Sequence, residues 1–135
     1  MRERWLHDLW AGQDWNGWPL RTTKGQRLQV LDPGKWNQDQ GPDFLLAKIF
    51  IDQVLWVGSV EIHLRATDWF RHDHTRDPHY FPVILHVVWM QDPLHPDIPT
   101  LELSRFLTVP RLRELLRFMS RVGELPCHKR MRPVP

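Results

Sequence analysis

The chain has 135 residues, 41% apolar and 25% charged, an ordinary composition for one domain that buries roughly two-thirds of its unfolded surface, and one that excludes a disordered chain. A net charge of +2 hides an asymmetry: residues 1–104 hold ten Lys/Arg against fourteen Asp/Glu, whereas residues 105–135 hold eight against two. The acid-rich part is therefore where metal ligands are to be sought, and the basic tail is either phosphate-neutralising or a solvated helix face.

In chain order, "RERWLHDLWAG" sets Trp5, Leu6, Leu9 and Trp10 at helical spacing with Gly12 as a stop, which predicts a short amphipathic helix. "RLQVLDPG" is a brief strand closed by a Pro33-Gly34 turn, and the polar connector "KWNQDQG" follows. Phe44 to Ile51 and Trp56 to Arg65 are predicted strands joined by a hairpin connection. "ATDWFRHDHTRDPHYF" has room for a helical turn begun at Thr67 or Asp68. "PVILHVVWM" is a β-branched run of the kind buried on both faces of a parallel sheet, reached by a crossover, and "IPTLELS" adds a further strand. "TVPRLRELLRFMSRVG" carries Leu112, Leu115, Met119 and Val122 on one stripe and predicts a second helix between Pro110 and Gly123. The expected architecture is α/β, a mixed central sheet flanked by helices, with residues 1–107 as the core and 108–135 as a basic helix and tail packed on it.

No apolar run is long enough to span a bilayer, so no membrane is expected. The N-terminus alternates charged and apolar residues, so no secretory leader is expected, and one cysteine, Cys127, permits no internal disulfide. The expected compartment is the reducing cytoplasm.

Glu61, between Val60 and Ile62 in an apolar strand, needs an explanation, because a buried carboxylate must be paired, hydrogen-bonded or metal-bound. The plain reading is a polar strand face carrying Glu61, His63 and Arg65. The sharper one is a cation site in which Asp43 joins Glu61 to offer the hard oxygen ligands of Mg²⁺. A two-residue loop at Asp52-Gln53 would put Asp43 opposite Ile62 and away from Glu61. A three-residue loop, or a bulge at Gly58, restores the match.

These residues resemble the PD-(D/E)XK nuclease superfamily: Pro42-Asp43, a strand, a hairpin and then Glu61-Ile62-His63, with His63 where a lysine is usual. The element order matches that superfamily's restriction-endonuclease-like αβββαβ core. Over most of the chain, "VLDPGKWNQDQGPDF", "GSVEIHLRATDWFRHDH" and "YFPVILHVVW" resemble an uncharacterised bacterial domain of unknown function, DUF2851. Its members usually continue well beyond this length, so the resemblance implies either a short form or a fragment with a missing C-terminal region; dimerisation through the stripe of the last helix is the other expectation.

The nuclease resemblance implies that Asp43, Glu61 and the Ile62 carbonyl hold Mg²⁺ or Mn²⁺, with His63 orienting water or offsetting phosphorane charge. Lys48 would replace the lysine only if it reached the same face, and alternation from Asp43 argues against that. Among the other candidates, His7 lies on the helix that sometimes donates a ligand in that fold. His86 is alone in an apolar strand and more often a core histidine than a ligand. Asn37 is better read as a loop cap than as a substrate contact. His72 and His74 in "RHDH" have some metal-ligand character but match no standard zinc spacing, so loop polarity is favoured. Trp5, Trp10 and Trp89 read as core. The expected function is metal-dependent cleavage of DNA or RNA phosphodiesters. The alternatives are a nucleic-acid- or protein-binding module without chemistry, and a metal hydrolase built on "RHDH".

Overall fold

The N-terminal helix α1 spans Glu3–Gly12 and buries Leu6, Leu9 and Trp10 along one stripe, as the 3.6-residue period dictates. It ends one residue later than its glycine suggests: Gly12 is still helical and Gln13 takes the left-handed cap conformation at φ 53°. The indole of Trp10 donates to Pro33 O at 2.9 Å, fastening the helix to the first turn of the sheet. This computed structural model describes residues 2–13, 15, 18–106 and 108–124, without the side chains at 109, 112, 115, 119 and 122–124. The stripe of Leu112, Leu115, Met119 and Val122 and the thiol of Cys127 therefore lie outside the described residues.

The protein is mixed α/β, and among the described residues six strands form one mixed sheet. Strand β1 (Leu28–Asp32) pairs antiparallel with β3 (Phe44–Ile51), and β3 pairs antiparallel with β4 (Val54–Arg65). From there β5 (Val83–Met90) and β6 (Thr100–Glu102) continue in parallel. Part of the polar connector is a further short strand, β2 (Lys35–Trp36), on β3. The crossover from β4 to β5 holds one helical turn, α2 (Asp68–Arg71), and two 3₁₀ turns, His74–Arg76 and Pro78–Tyr80. The last helix, α3 (Val109–Glu124), docks through buried Phe118, which joins the same core as α1, and through Arg111, 5.6 Å over the Trp18 ring. Gly123 lies within this helix rather than after it.

The register of the β3–β4 hairpin decides where the acids point. Ile51 pairs with Val54, leaving Asp52-Gln53 as a two-residue turn with Asp52 at φ 55°. Carried along unbroken, that register would set Asp43 opposite Ile62. A bulge intervenes, in β3 rather than at Gly58: Ala47 pairs with Gly58 but Phe44 pairs with Val60, so Leu45 and Leu46 together oppose Ser59, with Leu46 at φ 60°. Beyond the bulge the pairing has slipped by one residue, which brings Asp43 opposite Glu61. Gly58 has a different task. A Cβ there would stand 2.6 Å from Pro82 O and from Ile84 Cγ2, so its bare backbone is what lets β5 enter beside β4.

Alternation divides the sheet into two unlike faces. One face presents Phe44, Ala47, Ile49, Val60, Ile62, Leu85, Val87 and Leu101 to α1 and α3 in a continuous apolar core. Trp10 is fully buried there, and Trp5 and Trp89 pack against it. The other face carries Glu61, His63, His86, Thr100 and Glu102, all buried, with Trp69 and His74 of the crossover also buried. Lys48 is exposed on β3. Among the described residues no helix is long and apolar enough to cross a membrane.

Candidate functional site

The shifted hairpin register makes the two predicted acids into a reciprocal pair. The Asp43 amide donates to Glu61 Oε1 at 3.1 Å, and the Ile62 amide donates to Asp43 Oδ2 at 2.8 Å. Ile62 thus touches the acids through its N–H, while its side chain is in the apolar core. The loop before Asp43 is braced by Asn37, whose Nδ2 donates to Gln40 O and Pro42 O at 3.1 and 2.9 Å and whose Oδ1 accepts from the Asp39 amide. Asn37 thus caps this loop. The Tyr80 hydroxyl donates to Gly41 O at 3.0 Å and ties this loop to the crossover.

From α1, His7 reaches in: its Nε2 is 3.5 Å from Asp43 Oδ2 and 3.7 Å from Glu3 Oε1. On the other side of the pair stand the histidines. Glu61 Oε2 is 2.8 Å from His74 Nε2 and 3.3 Å from His63 Nε2. The His74 contact is short but misaligned, so neither of its ring nitrogens makes a hydrogen bond although the residue is buried. His63 Nδ1 and His86 Nε2 share a hydrogen bond of 2.8 Å. His63, His72 and His74 each bring one ring nitrogen within 4.8 Å of the others, a grouping able to hold a metal ion. Asp73 lies between the last two in the left-handed region at φ 55°. That backbone reversal sets off the 3₁₀ turn from which buried His74 meets Glu61.

Burial governs the charges. Glu61 is held far above the usual carboxylate range, first by desolvation and then by the negative charge of Asp43. Burial also pushes Asp43 upward, but His7, Glu61 and the Ile62 amide outweigh it and hold that carboxyl below its usual value. Without a cation the pair therefore keeps one proton, on the Glu61 side. Desolvation and neighbouring imidazoles depress His63 to about 2, His86 to about 3 and His74 to about 4, so all three rings are neutral at physiological pH. Glu3 is raised to about 7, by burial first and then by Asp43.

The structure thus brings together Asp43, Glu61, His63, His7, His72, His74 and His86 from two strands, the loop just before β3, one helix and the crossover. Lys48 is not among them. The sequence reading missed Glu3, Tyr80 and Trp69. Glu3 is one helical turn from His7, a spacing that could have pointed to it. Tyr80 stacks on the His74 ring at 3.7 Å and Trp69 meets His74, His86 and Tyr80 edge-on; those contacts depend on how the crossover folds, which no local pattern announces. Beside the histidines a cleft of about 390 Å³ is walled by Trp69, Phe70, Tyr80, Phe81 and His95. A hollow of about 740 Å³ near Arg27 and Gln53 lies at the far end of the hairpin and gathers no such cluster.

No curated protein and no solved structure matches the chain. A family model described as a protein of unknown function (DUF2851) matches residues 3–135. Spanning nearly the whole chain, that match means that the protein belongs to the DUF2851 family.

Proposed function

We propose that this protein is a metal-dependent hydrolase of phosphodiester bonds, acting on DNA or RNA, with Asp43 and Glu61 as its paired carboxylates. The observation that carries this reading is their convergence: a bulge that costs ladder pairing is spent on turning Asp43 toward a buried Glu61. The order of elements supports it, since α1, an antiparallel β1–β3–β4 set, a crossover and parallel β5 follow the plan of the PD-(D/E)XK core.

Two carboxylates suit Mg²⁺ or Mn²⁺. Bound there, such an ion would supply the counter-charge for both acids, polarise a phosphate oxygen and acidify a water. The chain's own groups do the rest. Asp43, ionised and partly exposed, meets the entering ligand, and Glu61 holds or gives up the proton of the pair. His63 stands where a lysine is usual but is neutral, so it orients and does not neutralise. His7, when protonated, sets a positive charge beside Asp43 on the rim. The aromatic walls of the adjacent cleft suit stacking of an unpaired base, and exposed Arg113, Arg117 and Arg121, four residues apart on α3, suit a phosphate backbone.

A second reading, a binding module without chemistry, is favoured by burial: Glu61 is 4% exposed and His63 1%, so a scissile phosphate meets Asp43 first. Purified protein with Mg²⁺ or Mn²⁺ is expected to cut single- or double-stranded DNA or RNA, and Asp43→Ala and Glu61→Gln are expected to lose cleavage with folding intact. Unchanged binding with no cleavage to lose would establish the second reading instead.

A further inference from the structure

We propose that His63, His72 and His74, together with the Glu61 carboxylate, form a site for a transition-metal ion of the Zn²⁺ type, selected over Mg²⁺. The inference shares Glu61 with the hydrolytic reading above but does not require hydrolysis. It starts from ligand chemistry. Mg²⁺ takes oxygen donors and rarely imidazole, whereas Zn²⁺, Co²⁺ and Ni²⁺ prefer imidazole nitrogen. Three ring nitrogens within 4.8 Å of one another, beside a carboxylate oxygen 2.8 and 3.3 Å from two of those rings, make a nitrogen-rich set with one oxygen.

The second observation is independent of that grouping. His74 is 6% exposed, and neither of its ring nitrogens makes a hydrogen bond. A buried polar cluster that served only packing would satisfy its members, as nearby Glu102 is satisfied by the Gln91 amide and by Arg105. His74 instead keeps an unused Nε2 2.8 Å from Glu61 Oε2, too misaligned for a hydrogen bond.

The surroundings complete the set. A metal-bound imidazole commonly fixes its ring through its other nitrogen, and His63 does so: Nδ1 is bonded to His86 Nε2, leaving Nε2 toward Glu61. His86 is thereby a positioning residue, and Tyr80, stacked on His74 at 3.7 Å, clamps the second ring. Nitrogens about 2 Å from a zinc-type ion stand roughly 3.3 Å apart, so closure asks for small ring rotations. His72, the exposed member, has the freedom to supply them.

The test uses the full chain stripped with a chelator. Zn²⁺ alone, titrated calorimetrically, is expected to bind one per chain and to resist millimolar Mg²⁺, and Co²⁺ alone is expected to give visible d–d bands of a nitrogen-rich site. His72→Ala and His74→Ala should each weaken Zn²⁺ binding at least tenfold and bleach the Co²⁺ bands, with Lys48→Ala unchanged. Because His72 is exposed, its variant keeps the test valid even if His74→Ala fails to fold. Zn²⁺ binding that is absent, readily displaced by Mg²⁺, or untouched in His72→Ala overturns the proposal. Zn²⁺ binding without cleavage under any ion would sink the hydrolase reading and leave this one standing; Mg²⁺-dependent cleavage in a protein that binds no Zn²⁺, or whose Zn²⁺ binding is untouched in His72→Ala, would do the reverse.

Discussion

Where β4, β5 and β6 run side by side, both faces of the sheet are buried and built from the same strands, yet they obey different rules. Toward α1, Val60, Ile62, Leu85, Val87 and Leu101 form a dry core in which each side chain is stabilised by removal from water. One residue out of phase, Glu61, His63, His86, Thr100 and Glu102 are just as enclosed but polar. Polar groups out of water cost free energy unless fully satisfied, and His74 and the Nδ1 of His86 are not. The first face is what a fold needs; the second is tolerated at a cost, which is the usual mark of a site kept for what it does.

Truncation should separate the faces most sharply. Leu101→Ala opens a cavity in the dry core and is expected to lose about 2–5 kcal/mol in urea unfolding. Glu61→Gln on the other face should leave stability at pH 8 unchanged or higher, because the proton that folding forces onto Glu61 no longer has to be taken up. A loss as large as that of Leu101→Ala would mean that Glu61 is a structural strut. Next in size, Gly58→Ala drives a methyl against Pro82 O and Ile84 and should cost about 1–3 kcal/mol in the same measurement.

Acidity sharpens the contrast, because only the polar face titrates. His63, His86 and His74, held at about 2, 3 and 4, stay neutral in the folded protein where the unfolded chain takes up protons below pH 6.5. Their contribution is whole above that value and is lost as pH falls, by up to about 1.4 kcal/mol per pH unit for each ring. Glu61 works in the opposite sense: raised by burial and by Asp43, it keeps a proton that the unfolded chain releases above about pH 4.5, so stability declines as pH rises. Glu3, at about 7, adds to that decline below neutrality. Metal-free protein should therefore be most stable near about pH 6.5, and Glu61→Gln should flatten the alkaline limb; urea melts between pH 5 and 9 read both. Smallest of all, Lys48→Ala, exposed on β3 where the polar face opens to solvent, should change stability by less than about 0.5 kcal/mol.

The dry face was the more legible. Helical spacing of Trp5, Leu6, Leu9 and Trp10 and the β-branched run at 83–90 announce α1 and β5 directly, because burial and periodicity are local properties of a sequence. The acids were legible as residues, but their meeting was not fixed, since it depends on one extra residue in one strand. The need for either a three-residue loop or a bulge followed from counting along the hairpin. The bulge's position at Leu45-Leu46 did not, because neither leucine carries the glycine signature of a left-handed backbone. The histidine cluster was underweighted for a related reason. His72 and His74 are two apart, a spacing that turns side chains to different sides of a helix, and the segment forms no strand; the left-handed turn at Asp73 lets both close on His63.

The most direct measurement is the anomalous scattering of a crystal soaked in Mn²⁺ or Zn²⁺. The account predicts one strong peak within roughly 2.0–2.3 Å of a Glu61 carboxylate oxygen and of at least one imidazole among His63, His72 and His74. A soaked crystal without a peak there, with Glu61 still held only by the Asp43 amide and its histidine neighbours, would contradict it.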